Sequence, residues 1–130
     1  MILSGTLARY PGIRLIVPHA GACLPVLAGR IELLMGAGDR QPDAQAPANI
    51  RQALRALHYD LAGAPVPELL GALLQIADPS RLHYGSDWPF TPVEGCARLL
   101  AALETVPCDA LRADILRRNA LALFPRLQDG

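Results

Sequence analysis

Three short strand-like runs alternate with stretches of helical periodicity, and this alternation constrains the fold more than any other feature of the sequence. The runs span residues 14–18, 57–62 and 81–86. Each has the length of a strand, and the first is a nearly continuous apolar run, as is typical of a parallel strand that is buried on both faces. Strands that alternate with helices are joined as parallel neighbours by right-handed crossovers. The sequence therefore predicts an α/β fold.

Helical patterns follow each predicted strand. After the first strand, Leu24, Leu27, Ile31 and Leu34 recur at helical spacing, and Pro25 suits a first helical turn. Further helices are predicted over residues 49–56, 68–77, 93–105 and 109–123, the last with Asp109 as its cap. Residues 36–49 have no apolar periodicity and predict an exposed loop; the strand–helix order resumes after it, which favours one domain over residues 1–130. Residues 1–10 resemble the end of a helix, so the chain is expected to begin within a larger architecture.

Composition excludes several classes of protein. Apolar residues make up 52% of the 130 positions and charged residues 18%, which argues against disorder. Twelve acidic and twelve basic residues balance, so no basic surplus attracts nucleic acid. No apolar run is long enough to cross a membrane, and the first residues lack the features of a signal peptide. Cys23, Cys96 and Cys108 show no metal-binding spacing, and we expect them to be reduced, buried or half-buried thiols of a cytoplasmic protein.

Two polar residues follow predicted strands directly: His19 after the first and Asp87 after the third. Side chains at the carboxyl ends of parallel strands face the crevice where α/β proteins place their active sites. A histidine and an aspartate there can bind a divalent metal or form an acid–base pair. The alternatives are a hydrogen-bonded structural histidine and an aspartate that caps a turn. Gly85 allows a close backbone approach before Asp87, while Trp88 and Phe90 offer an apolar wall for a substrate.

Four segments carry a resemblance to a known family. The chain is similar to the amidohydrolase-related decarboxylases, which include the aminocarboxymuconate semialdehyde, resorcylate and 6-methylsalicylate decarboxylases. The similar segments are LIVPHAG at 15–21 with Gly29-Arg30-Ile31 after it, LHYDLA at 57–62, YGSDWPF at 84–90 and the closing helix at 115–124 with Asn119-Ala120. The resemblance spans nearly all of the chain, and the segment 84–90 is its most specific part. It implies strands six to eight and the closing helix of a metal-dependent hydrolase-type TIM (β/α)8 barrel, which is incomplete here.

The resemblance also implies roles for individual residues. His19 matches a histidine that acts beside the metal as general base or acid, and a histidine side chain exchanges protons near neutral pH. Asp87 matches a metal ligand that in some members is also the proton donor. Arg30 matches an arginine that in some decarboxylases reaches across a dimer to the substrate carboxylate, a bidentate task that suits a guanidinium; an exposed helix cation is the alternative. Trp88 and Phe90 would line the substrate site.

The sequence departs from the family pattern in its metal ligands. The family carries a His-x-His pair after strand one and usually a histidine after strand five, and neither strand is present here. His58 and His83 lie inside predicted strands and are interpreted as structural. Ala22 stands where the family often has a second glycine. Catalytic zinc sites use three protein ligands and an open position, so tight zinc binding by this chain alone is not expected.

The leading hypothesis is therefore part of a metal-dependent decarboxylase of small aromatic or unsaturated carboxylic acids, inactive as an isolated chain. The expected cofactor is a divalent metal, zinc before manganese. A hydrolase of the same superfamily is one alternative, and a non-catalytic α/β remnant or association module is another, so the sequence leaves open whether this chain is itself an enzyme. Three strands would leave an unpaired edge and an open apolar face, which predicts a homo-oligomer.

Overall fold

The structure, a computed structural model, describes residues 1–36 and 50–128 of the 130-residue chain. Apart from Gly36, the loop predicted over residues 36–49 lies outside the described residues. All three predicted strands and the helices that follow them lie within the described ranges.

The three strands form one parallel sheet, as the sequence predicted. Strand β1 is Ile16–Val17, β2 is His58–Asp60 and β3 is Leu82–His83, and they lie in the order β1-β2-β3. Ile16 lies opposite His58, and Asp60 lies opposite His83. Because residues opposite each other in a parallel pair point to the same face, this register places Ile16, His58, Asp60 and His83 on one face of the sheet.

Helices follow the strands in the predicted order, and several are shorter than their apolar patterns. The α-helices are α1 Thr6–Arg9, α2 Leu24–Gly36, α3 Ile50–Arg55, α4 Glu68–Leu73, α5 Val93–Glu104, α6 Asp109–Ala113 and α7 Asn119–Leu123. Short 3₁₀ turns cover His19–Gly21, Pro79–Arg81 and Pro125–Leu127, and a π turn, Asp114–Arg118, joins α6 to α7. The cap of α6 is Cys108 and not Asp109, which lies in the first turn and accepts a hydrogen bond from Arg112 instead.

The core lies between the second face of the sheet and the helices. Tyr59 points into it from β2 and donates a hydrogen bond from its hydroxyl to the Leu54 carbonyl, 2.9 Å away, so the one polar atom of this side chain is satisfied. Each fully buried leucine stabilises the fold by roughly 2 kcal/mol. The largest fully buried side chains are Tyr59, Leu54, Leu61, Leu73, Leu82, Leu103, Ile115 and Pro65.

The terminal helix covers the outer edge of β3. The Asn119 side chain donates from Nδ2 to the Leu82 carbonyl at 2.8 Å, and the Tyr84 N–H donates to the Ile115 carbonyl at 2.9 Å. The π turn makes this possible, because a widened turn leaves a carbonyl without its usual partner four residues on. Among the described residues, the expected unpaired edge is therefore absent at β3 and remains at β1. Exposed apolar side chains do occur on α2, where Val26 and Leu33 are 75% and 71% exposed.

The exposure of the cysteines differs from the prediction. All three cysteines are free thiols, but Cys23 and Cys108 are exposed and only Cys96 is half-buried, so the expectation of burial was wrong for two of them. Within residues 1–36 and 50–128, every helix is too short or too polar to cross a membrane.

Candidate functional site at the carboxyl ends of the strands

His19 begins a strained turn directly after β1. Its backbone φ is 54°, and those of Ala20 and Ala22 are 53° and 49°. A residue with a Cβ atom enters this left-handed region at a cost of roughly 1–2 kcal/mol, because Cβ crowds the next carbonyl. Such strain clusters at sites where a side chain must be presented in a particular direction. The only other described non-glycine residue with positive φ is Asp87, at 60°, so both residues singled out from the sequence carry this strain.

The carboxylate of Asp60 connects the ends of β1 and β2. Its Oδ1 atom accepts hydrogen bonds from the His19 N–H at 2.9 Å and from the Ala62 N–H at 3.0 Å. Hydrogen bonds to an ionised acceptor are stronger than neutral ones, so this oxygen holds the turn that carries the imidazole. Sequence reasoning missed Asp60. The available signal was its position as the polar residue at the end of β2, equivalent to His19 and Asp87 on the flanking strands.

Two glycines leave room around this arrangement. A Cβ atom on Gly85 would lie 3.0 Å from Cβ and 3.1 Å from Cγ of Asp60, and one on Gly63 would lie 3.5 Å from Nδ1 of His19. The sequence predicted a close approach at Gly85, and the group that makes this approach is the Asp60 side chain. Gly85 therefore packs against the side chain that positions His19.

Asp87 is held by the start of the following loop. Its Oδ2 atom accepts a hydrogen bond from the Thr91 hydroxyl at 2.9 Å, and its carbonyl accepts from the Thr91 N–H at 2.9 Å. Asp87 thus has the turn-forming role that was the structural alternative in the sequence. Its second carboxylate oxygen, Oδ1, makes no hydrogen bond among the described residues, so the turn leaves one oxygen free for another ligand.

The predicted substrate-binding residues are all exposed. Arg30 lies on the surface of α2, and Trp88 and Phe90 are 66% and 88% exposed. Within the described part of the chain, the two aromatic side chains do not close a pocket. Their contact with a substrate remains a prediction.

The described residues supply part of a metal site at most. Sheet order places β2 between β1 and β3, and Asp60 contacts both neighbours, through His19 and through Gly85. No hydrogen bond of the described residues joins His19 to Asp87, and within the described ranges no group of three His, Cys, Asp or Glu residues is arranged to hold a metal ion. A catalytic zinc ion needs three protein ligands, so these side chains alone do not fit such a site.

Comparisons with known proteins agree on the family. A family model described as amidohydrolase matches residues 1–126. The 6-methylsalicylic acid decarboxylase of Penicillium expansum is 31% identical over 129 residues, which is 98% of this chain and 40% of that protein. A crystal structure of 2,6-dihydroxybenzoate decarboxylase with 2,6-dihydroxybenzoate matches with a TM-score of 0.80 at 25% identity, covering 99% of this chain and 39% of that one. A dihydroxybenzoic acid decarboxylase from Polaromonas, crystallised with manganese, matches with a TM-score of 0.79 at 24% identity, covering 95% and 37%.

The matches also define what portion of a larger fold is present. The chain spans 36–40% of the length of the curated relatives it matches. Its three parallel strands and their helices superpose on a part of a (β/α) barrel, which confirms the predicted incomplete α/β barrel. Because the family model covers all but the last four of its 130 residues, this chain belongs to the amidohydrolase family.

Proposed function

We propose that this chain contributes His19 and Asp87 to the active site of a metal-dependent decarboxylase of small aromatic carboxylic acids. The observation that carries the proposal is the shared left-handed backbone of these two residues, each at the carboxyl end of a strand in one parallel sheet. The names of the relatives supply the reaction class. Because the chain spans less than half of those relatives, the complete site needs residues beyond the ones described.

Decarboxylation requires a group that delivers one proton to the substrate. The bond between a ring carbon and the carboxyl group breaks, carbon dioxide leaves, and the electron pair stays on the ring carbon, which must gain one proton. His19 has the chemistry for this transfer, because an imidazole accepts and donates protons near neutral pH. Asp60 acts as a positioning residue, since it holds the His19 N–H and so fixes where the ring emerges.

Asp87 is the metal ligand that this chain offers. The Thr91 hydroxyl orients the carboxylate through its hydrogen bond to Oδ2, and the free Oδ1 atom can still coordinate a cation. We propose zinc as the cation and manganese as the alternative, and the further ligands lie outside the described residues. A bound divalent cation would polarise a substrate oxygen.

The surface of α2 suggests how the substrate carboxylate is bound. Arg30 is exposed there, and a guanidinium binds a carboxylate through two parallel hydrogen bonds. We propose that it reaches a substrate held by a neighbouring copy in a homo-oligomer, with Trp88 and Phe90 against the aromatic ring. The three free thiols favour a reducing, cytoplasmic setting.

A chimera tests the proposal. Residues 1–126 replace the matching segment of the Penicillium expansum relative, and carbon dioxide release from 6-methylsalicylate is measured with zinc or manganese present. We expect metal-dependent release that falls by at least about a hundredfold in His19→Asn, as is typical when an acid–base group is removed. Asp87→Asn should lower it by about ten- to a hundredfold or more, because it weakens a metal ligand. Arg117→Gln is the matched control, because this exposed arginine lies on the π turn between α6 and α7.

Two outcomes would contradict the proposal. A chimera that folds, as judged by circular dichroism and elution volume, but neither binds metal nor releases carbon dioxide would reject the decarboxylase assignment. Turnover by the isolated 130-residue chain would reject the view that the site is shared with residues outside it. We expect the isolated chain to show neither turnover nor stoichiometric metal.

A further inference from the structure

A cavity of about 510 Å³ lies at the amino ends of the strands, the opposite end from His19 and Asp87. The chain leading into β1, the helix α1 and the end of α3 form its walls. Its apolar lining includes Ile2, Leu7, Leu15 and Leu57. Its volume lies within the range of roughly 300–1,000 Å³ that small-molecule sites occupy.

The polar groups of this cavity carry one sign of charge. Arg14 and Arg81 both line it, and the lining that the described residues provide contains no aspartate or glutamate. The Arg14 side chain is exposed and makes no hydrogen bond or ion pair among the described residues. The Arg81 side chain has one described hydrogen bond, from Nη1 to Nε2 of His58 at 3.1 Å. Two guanidinium groups therefore face an apolar cavity whose wall, over residues 1–36 and 50–128, offers them no acidic partner.

A buried histidine pair holds the Arg81 guanidinium. Since arginine only donates, Nε2 of His58 must accept, and its Nδ1 must carry the proton that is donated to Nε2 of His83, 2.9 Å away. Both rings are more than nine-tenths buried. Burial lowers the pKa of His58 to about 4, helped by the neighbouring His83, Arg81 and Arg14, and burial also lowers the pKa of His83. Both rings are thus neutral at neutral pH. Because Nε2 of His58 then acts only as an acceptor, its hydrogen bond holds the Arg81 guanidinium in one orientation.

We propose that this cavity binds a small carboxylate with an apolar body, with the carboxylate on Arg14 and Arg81 and the body against Leu15 and Leu57. A planar guanidinium matches a carboxylate in two-point geometry, and a guanidinium already held in place loses less freedom on binding. The inference does not depend on the proposed decarboxylase function, because none of its residues belongs to that site.

The test uses hexanoate, with hexanamide as a neutral probe of the same shape. Each is titrated into the ¹⁵N-labelled 130-residue chain at neutral pH, and amide shifts are followed by NMR. We expect saturable shifts with hexanoate at Leu15, Ala56 and Leu57, and an affinity for hexanoate roughly tenfold or more above that for hexanamide, which lacks the charge. Arg81→Gln and Arg14→Gln should each weaken hexanoate binding by roughly tenfold, while Arg117→Gln leaves it unchanged.

Arg14→Gln keeps the test valid if Arg81→Gln disturbs the buried histidines, because Arg14 is exposed. Equal affinity for hexanoate and hexanamide would overturn the proposal, since the guanidinium groups would then contribute nothing. Hexanoate shifts confined to the region of His19 and Asp87, or unchanged binding in Arg14→Gln, would overturn it as well.

Discussion

The packing of Gly85 against Asp60 gives the sharpest test of how the His19 turn is built. In Gly85→Ala, the new methyl group would lie 3.0 Å from Cβ of Asp60, an atom that moves only with the backbone of β2. Overpacking of this kind costs about 1–3 kcal/mol, and restricting the unfolded chain offsets roughly 0.5 kcal/mol. We therefore expect the free energy of unfolding to fall by about 1–2 kcal/mol. Urea denaturation followed by circular dichroism measures this, provided that the m-value is unchanged.

A double-mutant cycle assigns the cost to this contact. Asp60→Gly removes all three atoms that the alanine methyl would meet, so the same Gly85→Ala change should cost less than about 0.5 kcal/mol in that background. Gly71→Ala is the matched control: it lies in α4 with open space around its Cβ position, and alanine should stabilise a helix by roughly 0.5–1 kcal/mol. In Gly85→Ala, the His19 amide resonance should also move, because its hydrogen bond to Asp60 is disturbed. Equal costs in both backgrounds would refute the reasoning.

Three further predictions address stability and reactivity. The pKa of His58 falls from 6.5 to about 4 on folding, mainly through burial and then through His83, Arg81 and Arg14. The contribution of neutral His58 to the free energy of unfolding is therefore complete above pH 6.5, and up to about 3 kcal/mol of it is lost as the pH falls toward 4. An unchanged pH dependence of unfolding in His58→Gln would contradict this. Asn119→Ala removes the donor to two backbone carbonyls beside β3 and should cost about 2–3 kcal/mol in urea denaturation, whereas a loss below about 0.5 kcal/mol would show that the edge of β3 does not need it. With a thiol reagent, the exposed Cys23 and Cys108 should react before Cys96, whose Sγ donates to the Ser86 carbonyl; three equal rates would contradict the described burial.

Much of the fold followed from local pattern. The strands at 16–17, 58–60 and 82–83 lie inside the predicted runs, because short strand-like runs between helical patterns favour parallel strands. Both residues of β3 are buried, whereas Ile16 in β1 is 37% exposed. The ends of the elements were less well predicted. Helix α4 stops at Leu73 although its apolar pattern continues to Ala77, and the cap of α6 falls on Cys108, because tertiary contacts and turn geometry override local preference there.

Asp60 shows why part of the site was missed. In the sequence it stands within a predicted strand as one of its polar residues, and its one local contact, the Ala62 N–H, does not distinguish it from a residue that caps a turn. Its role depends on contacts with His19, which lies 41 residues before it, and with Gly85, 25 residues after it. Contacts of that kind arise only when the parallel order of the strands brings their carboxyl ends together.

The amino-acid sequence alone determined the α/β class, the order of its elements, the likeness to a known family and the two residues that follow strands β1 and β3. Those features depend on the spacing of residues that are close together in the sequence, so they can be found without coordinates. Tertiary structure decided the roles of Asp60, of the His58–His83 pair and of Asn119, and it revealed the left-handed backbone at His19 and Asp87. Each of these depends on groups brought together from distant parts of the chain, or on a backbone angle that residue identity does not encode.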